Sequence, residues 1–183
     1  MNQPKLLQWK FCPFCGDNSI ELNINQSRYQ CLNCHNLYFI NSKPSVCAVI
    51  VRSNRILLVS GSSEKNSLWD FPGGFLKYGE KPEDGLRREL REELGVEARV
   101  GKLLSAKIDT YSSDSDFCLN LFYTTQLKSE NFKVGEEIKE AKWFKLSRPP
   151  KIRFRSTKEV ILSLQKRKSQ SPMIRRKDLG KRQ

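Results

Sequence analysis

Three glutamates, Glu89, Glu92 and Glu93, stand close together in a segment, Pro82–Leu94, that carries the signals of a helix. Pro82 stands in its first turn, Glu83 and Asp84 follow at the positive end of the helix dipole, and Gly95 supplies the stop. With Leu86 set at zero and about 100° per residue, Leu90 and Leu94 complete an apolar stripe at about 40° and 80°. Glu93, Glu89 and Glu92 then fall at about −20°, −60° and −120°, directly beside that stripe. Glu89 and Glu93 are a like-charged i,i+4 pair, which costs roughly a few tenths of a kcal/mol on an exposed helix and more when part-buried. A solvated acidic face with an Arg88–Glu92 ion pair is the bland account of such a pattern. The context points elsewhere. Gly73-Gly74 upstream lets a backbone carbonyl approach closely, and clustered oxygen donors without His or Cys select a hard divalent cation, Mg2+ or Mn2+. Such an ion binds phosphate oxygens and orients a nucleophilic water, which suits hydrolysis of a phosphoanhydride.

A second set of chemical residues lies ahead of the first. Cys12, Cys15, Cys31 and Cys34 form C-x2-C-x15-C-x2-C, with the turn residues Pro13, Gly16 and Asn33 between short segments such as Ser27–Gln30 and Leu37–Ile40. Four thiolates fill the tetrahedron of Zn2+ and leave no position for water, so the ion is structural, and Lys10 and Arg28 stand near enough in sequence to offset its negative charge. A pair of disulfides is the alternative, but nothing else in the chain suggests an oxidising compartment. His35, the single histidine, reads as a surface residue beside Cys34, and Cys47 and Cys118 read as buried small hydrophobes within apolar runs.

The elements that must position these residues follow from length and pattern. A chain of 183 residues allows one domain with a small module and a tail, and the reading is a ribbon over 1–43, a catalytic domain over 44–166 and a tail over 167–183. Apolar runs at Val46–Val51 and Ile56–Val59 flank a hairpin-like Arg52–Arg55, and a loop spans Gly61–Leu68. Further strands are expected at Val100–Ile108, Phe117–Thr125 and Ala141–Phe144. A last helix is announced by a capping box, Ser156 to Glu159, and runs through Leu164. No run approaches the roughly 18 apolar residues of a spanning helix, and Met1–Lys10 has no signal-peptide character, so the expectation is a soluble, cytoplasmic protein with no membrane contact. The net charge of +13 is lopsided: from Arg148 onward 13 basic residues meet only Glu159 and Asp178. The body is near neutral and the end is a basic segment, expected to be disordered after about Lys166 and able to contact RNA phosphates through Lys166–Lys168 and Arg175–Lys177.

The stretch Gly74–Val96 resembles the signature of Nudix hydrolases, GX5EX7REUXEEXGU, at every fixed position, and the Glu136–Phe144 segment resembles the late acidic segment of that family. The resemblance, spanning about 44–166, implies an α+β fold: an α/β/α sandwich with a mixed sheet, here preceded by a small β zinc ribbon. It implies attack of metal-activated water on a nucleoside diphosphate linked to another moiety. Position by position, Glu89, Glu92 and Glu93 would ligate the divalent metal with the Gly73 carbonyl, and Arg88 would orient a glutamate. Glu80 would hold the loop-helix junction, and Glu137, with Glu136 and Glu140 as rivals, would supply a later carboxylate. Glu92 and Glu137 are the candidates for the general base.

A zinc ribbon before such a domain resembles the NADH pyrophosphatase branch. The SQPWPFPxS motif of that branch is absent, however, and the chain reads Gly101–Ser113 in that region. ADP-ribose or a related nucleotide sugar is therefore expected first, with NADH, NAD or NAD-capped RNA as alternatives. A nucleotide-sensing, nucleic-acid-binding factor is a further reading, and a homodimer is implied by the resemblance. Trp69, Phe75, Tyr111 and Phe117 are candidate aromatic walls for a base, against an equal reading as core residues.

Overall fold

The computed structural model describes residues 9–61, 68–111 and 117–170. The expected loop at Gly61–Leu68 and the end of the basic segment, 171–183, lie largely or wholly outside these residues.

The first module is a three-stranded antiparallel sheet, β1 (Ile20–Asn23), β2 (Arg28–Cys31) and β3 (Leu37–Phe39), in the order β1-β2-β3. Its four cysteine sulfurs lie within 4.8 Å of one another. Cys12 Sγ is 3.6 Å from Cys34 Sγ and Cys15 Sγ is 3.7 Å from Cys31 Sγ. A tetrahedron with bonds of about 2.3 Å has edges of about 3.8 Å, whereas a disulfide needs about 2.05 Å, so the spacing fits ligands around one ion. Asn36 Nδ2 reaches Cys34 Sγ at 3.3 Å, and the backbone N–H of Phe14 reaches Cys12 Sγ at 3.4 Å, donors that temper thiolate charge. His35 is exposed and outside the cluster.

The rest of the chain supplies β4 (Lys43–Val49), β5 (Val51–Arg52), β6 (Arg55–Gly61), β7 (Gly73–Phe75), α1 (Pro82–Leu94), β8 (Ala98–Thr110), β9 (Phe117–Leu127), β10 (Ile138–Lys145) and α2 (Arg155–Gln170). A four-stranded mixed sheet runs β7-β4-β9-β8, with β4 and β9 parallel, and a three-stranded antiparallel sheet runs β10-β6-β5. β4 and β6 are apolar without alternation because both of their faces are covered. Val46, Ala48, Leu57 and Val59 face a core with Leu86, Leu90 and Leu94 of α1. Cys47, Val49, Ile56 and Leu58 face a second core with Val160 and Ile161 of α2. The architecture is thus α+β, helices on opposite sides of mixed β-structure, as the sequence implied.

One short segment joins these layers. Asp70 exchanges backbone hydrogen bonds with Val59 of β6, Pro72 O accepts from Ala48 of β4, and Trp69 bonds the backbones of Lys151 and Arg153 ahead of α2. Trp69 is 6% exposed and meets Phe144 edge-on at 4.6 Å in the second core. Its expected place as a wall for a base is therefore corrected: burying the indole fixes the segment that carries Asp70 and the glycines.

The helix α1 matches its expected bounds, but α2 starts differently. Ser156 lies inside the helix, and its N–H is taken by Asp109 Oδ2 of β8 at 2.6 Å. Glu159 turns to Lys107 at 3.1 Å and does not close a capping box. A tertiary carboxylate replaces the local cap because Phe154, preceding the helix, has no side-chain acceptor. The Ser156 and Thr110 N–H bonds hold the Asp109 carboxyl below its ordinary value, against the larger opposing effect of burial. The helix also continues to Gln170, past Leu164 where it is expected to stop, so that 167–170, expected to be disordered, are helical. No helix among the described residues is long and apolar enough to cross a membrane. Replacing Asp109 with Ala should lower stability by about 1–2 kcal/mol, the range for losing a helix cap, as read from urea denaturation. A change within error would show that α2 does not depend on this contact.

Candidate active site

The site is assembled around the C-terminal half of α1. Leu86, Leu90 and Leu94 are fully buried, and each such side chain contributes about 1.5–3 kcal/mol, far more than the few tenths that a like-charged helical pair costs on a surface. Core packing therefore dictates the helix orientation, and the glutamates must go where it sends them. Glu93, 9% exposed, is carried under β7, where Gly73 N–H donates to its Oε2 at 2.8 Å. Burial pushes the Glu93 carboxyl well above the ordinary range despite that bond. Glu89 is raised too, by burial first, with Arg88 opposing and Glu92 and Glu137 adding to the shift.

The glycines make this approach possible. At Gly73, φ is +143°, and an added Cβ would stand 2.0 Å from Val46 O. At Gly74 an added Cβ would stand 2.6 Å from the Glu89 carboxyl carbon. The two positions read from sequence as loop are strand β7, paired with β4 at Cys47 and Val46. Glycine's low strand propensity hides such a strand, yet only glycine admits this backbone and leaves space for the carboxylate.

Arg88 organises what remains. Its Nε and Nη2 donate to the two oxygens of Glu80 at 2.8 Å each, its Nη1 donates to Glu89 at 2.6 Å and Glu92 at 2.9 Å, and Nη2 also reaches Phe75 O at 3.1 Å. Glu80 also accepts from Lys77 N at 2.9 Å. Arg88 first and the Lys77 N–H second lower the Glu80 carboxyl to about 2. The guanidinium thus ties the loop before α1 to two helical glutamates, a fork that a lysine cannot reproduce.

These groups line a cleft of about 580 Å³ that includes Glu89, Glu92, Glu93, Glu137, Gly73, Gly74 and Arg88. Glu137 faces it from the start of the β10 segment, across from the helix. Glu136 is exposed outside the lining, and Glu140 pairs with Lys142. Phe75, 37% exposed, meets Tyr111 edge-on at 5.2 Å, and Tyr111 stacks on Phe154 at 6.0 Å. Phe117 begins β9 with 45% exposure and lines neither this cleft nor the space beside it.

Sequence reasoning missed Asp70, Arg153 and Phe154 as cleft residues. Asp70 accepts from Thr157 Oγ1 at 2.5 Å, and burial pushes its carboxyl up to about 6. The Arg153 guanidinium lies 4.9 Å from the Phe154 ring centre and 5.8 Å from that of Tyr111, within cation–π range. None of the three has a local spacing signal, since they reach the cleft through the Trp69 segment and the approach to α2.

The crowded carboxyls fit a hard divalent cation: they are oxygen donors only, and their mutual repulsion is what such a charge relieves. The pocket's shape and donors suit a phosphate-bearing ligand with a planar group at the aromatic rim.

Comparison with known proteins agrees with this construction. The NUDIX domain model matches residues 41–165. The NAD-capped RNA hydrolase NudC of Vibrio parahaemolyticus is 27% identical over 143 residues, covering 78% of this chain and 54% of that protein. An ADP-ribose pyrophosphatase of Methanocaldococcus jannaschii is 27% identical over 117 residues, covering 63% of this chain and 69% of that one. The chain spans about half the length of the NudC proteins it matches. Among solved structures, a NUDIX hydrolase from Nitrosomonas europaea aligns with a TM-score of 0.72 at 24% identity, covering 90% of this chain and 95% of that one, a likeness of fold. The domain match takes in α1, the greater part of α2 and every carboxylate of the cleft, and on it the chain belongs to the NUDIX family.

Proposed function

We propose that the chain is a divalent-metal-dependent pyrophosphohydrolase that cleaves a nucleoside diphosphate linked to another moiety, with ADP-ribose or a related nucleotide sugar as its first substrate. The observation that carries this reading is the convergence of Glu89, Glu92, Glu93 and Glu137 on one cleft, with Arg88 and Gly73 fixing the three helical carboxylates. These four, with Gly73, would hold Mg2+ or Mn2+. A divalent ion bound there supplies Lewis acidity at phosphate oxygens and a nucleophilic water at neutral pH.

The chain's own groups divide the remaining work. Glu89 is held by Arg88 and Glu93 by the Gly73 N–H, which supports assigning both as ligands. Glu137, exposed on the cleft wall, is the first candidate for the general base; Glu92, half exposed, is the second. Arg153 stands on the rim among the aromatics, where it can meet a phosphate on the far side of the scissile bond. Phe75, Tyr111 and Phe154 offer faces for a base.

The name of the Methanocaldococcus jannaschii relative and the missing NADH motif favour ADP-ribose. Cleavage of NAD-capped RNA is the second reading, favoured by the extent of the match to NudC over 78% of this chain. On the first module, Cys12, Cys15, Cys31 and Cys34 would hold a structural Zn2+.

A panel of ADP-ribose, NADH, NAD, diadenosine polyphosphates and NAD-capped RNA, assayed with Mg2+ and Mn2+, tests the activity. Turnover should be metal-dependent and should fall by at least about 100-fold in Glu93→Gln, beyond the roughly 10–100-fold typical of losing an outer-shell partner. No turnover on any member would overturn the reading. Arg88→Lys keeps the charge but loses the fork, so kcat should fall by about 10–100-fold with little change in KM; an unaltered kcat would deny it a positioning role. Metal analysis of purified protein should give about one zinc per chain, reduced to background in Cys31→Ser.

A further inference from the structure

Beside the cleft, and sharing its rim, lies a smaller space of about 70 Å³. It occupies the α2 side of the four-stranded sheet, and strand register dictates its composition. Phe75, Ser45, Asn120 and Lys107 form one row across β7, β4, β9 and β8. The row Gly73, Cys47 and Phe122, two residues along β4, places apolar side chains on the same face and within the second core. Ser45 and Asn120 therefore interrupt an apolar surface with a polar pair.

That pair is oriented. The Ser45 hydroxyl donates to Asn120 Oδ1 at 2.5 Å, and Asn120 Nδ2 donates to Ser156 Oγ at 3.4 Å. The amide oxygen is thereby assigned to the Ser45 side, and the second N–H of Nδ2 takes part in neither bond. Asp109, lining the same space, accepts from Ser156 N at 2.6 Å and Thr110 N at 2.9 Å and keeps further lone pairs. A polar pair at this depth costs stability relative to an apolar one unless it is satisfied, and strand packing alone does not require it.

We propose that this side pocket receives the hydrogen-bonding edge of the substrate's nucleobase, and that Asn120, held by Ser45, is a specificity-determining residue. The space equals the share of about two waters, enough for the edge of a base but not the whole ring. The ring itself stays at the shared rim, against Phe75, Tyr111 and Phe154. Asn120 offers an N–H donor, and Ser45 and Asp109 offer acceptors. The complementary edge carries a ring nitrogen acceptor beside an exocyclic amine, as in adenine or cytosine. Hypoxanthine and uracil present a ring N–H beside a carbonyl, the reverse order, and leave the pocket's groups mispaired. The link to turnover rests on the hydrolytic reading of the cleft; the choice of base rests on the side pocket alone.

The test separates the two. Binding of ADP-ribose and of its inosine counterpart, IDP-ribose, is measured by calorimetry in full-length Glu93→Gln protein with Mg2+, with and without Asn120→Asp or Asn120→Ala. The parent protein should prefer ADP-ribose by at least about 10-fold. Asn120→Asp exchanges the donor for an acceptor in nearly the same shape and should abolish or invert the preference, while Asn120→Ala should flatten it. Equal binding of the two nucleotides, binding of neither, or a preference unchanged in both Asn120 variants would overturn the proposal. Base selectivity without turnover in the Glu93-containing protein would leave the pocket assignment standing and remove the hydrolytic one; turnover without base selectivity would do the opposite.

Discussion

Everything in the site depends on placing three like-charged carboxylates on the arc of a helix beside the stripe that the core buries, with Glu93 carried under the sheet and Glu92 left at the surface. The leucines of α1 supply several kcal/mol of apolar burial and leave no freedom to rotate the helix and release Glu93 to water. The remaining electrostatic conflict is met locally, by one guanidinium for Glu89 and Glu92 and one backbone N–H for Glu93. Neither removes it: burial first, and the neighbouring carboxylates after it, keep Glu89 above its ordinary value and Glu93 well above. A divalent cation held there, as proposed, would relieve that conflict by supplying the opposite charge.

The same constraint explains the glycines and the tryptophan. A carboxylate can be tucked beneath β7 only if β7 carries no side chain there, and a strand of glycines has little reason to stay in place by itself. It is held because the chain immediately before it is fastened to three layers: to β6 through Asp70, to β4 through Pro72, and to the α2 approach through Trp69. Rigidity at the carboxylates is thus obtained from backbone pairing at Asp70 and from the buried indole at Trp69, neither of which is among the proposed metal ligands.

How far this was legible in the sequence follows from the range of each interaction. The α1 bounds, its apolar stripe and its acidic arc are local and periodic, and the sequence displays them fully. The cysteine cluster is legible by spacing. The double-sided strands β4 and β6 are legible as apolar runs, although which residue faces which helix is not. What failed was non-local. Ser156 and Glu159 satisfy the local rule for a cap, yet a carboxylate from β8 occupies the N–H. Gly73 and Gly74 satisfy the local rule for a loop, yet pairing with β4 makes them strand. Trp69 has the chemistry of a base platform, but the second core claims it. Phe154 and Arg153, with no spacing signal, take up the rim because the chain entering α2 passes there.

The distribution of polar groups across the four-stranded sheet carries this further. Along its α2 face the residues change from apolar in the row of Cys47 and Phe122 to polar in the row of Ser45 and Asn120, toward the end where Lys43 pairs with Cys118. Asp109 stands at the same end and has two attachments, one to its own strand and one to the first turn of α2. The helix that covers the second core is therefore anchored by a residue that also lines the space beside the cleft. Packing and the proposed recognition meet at that carboxylate: the contact that sets where α2 begins also sets where Phe154, just ahead of the helix, stands on the lining, so the shape of the side pocket is tied to the anchoring of the helix that follows it.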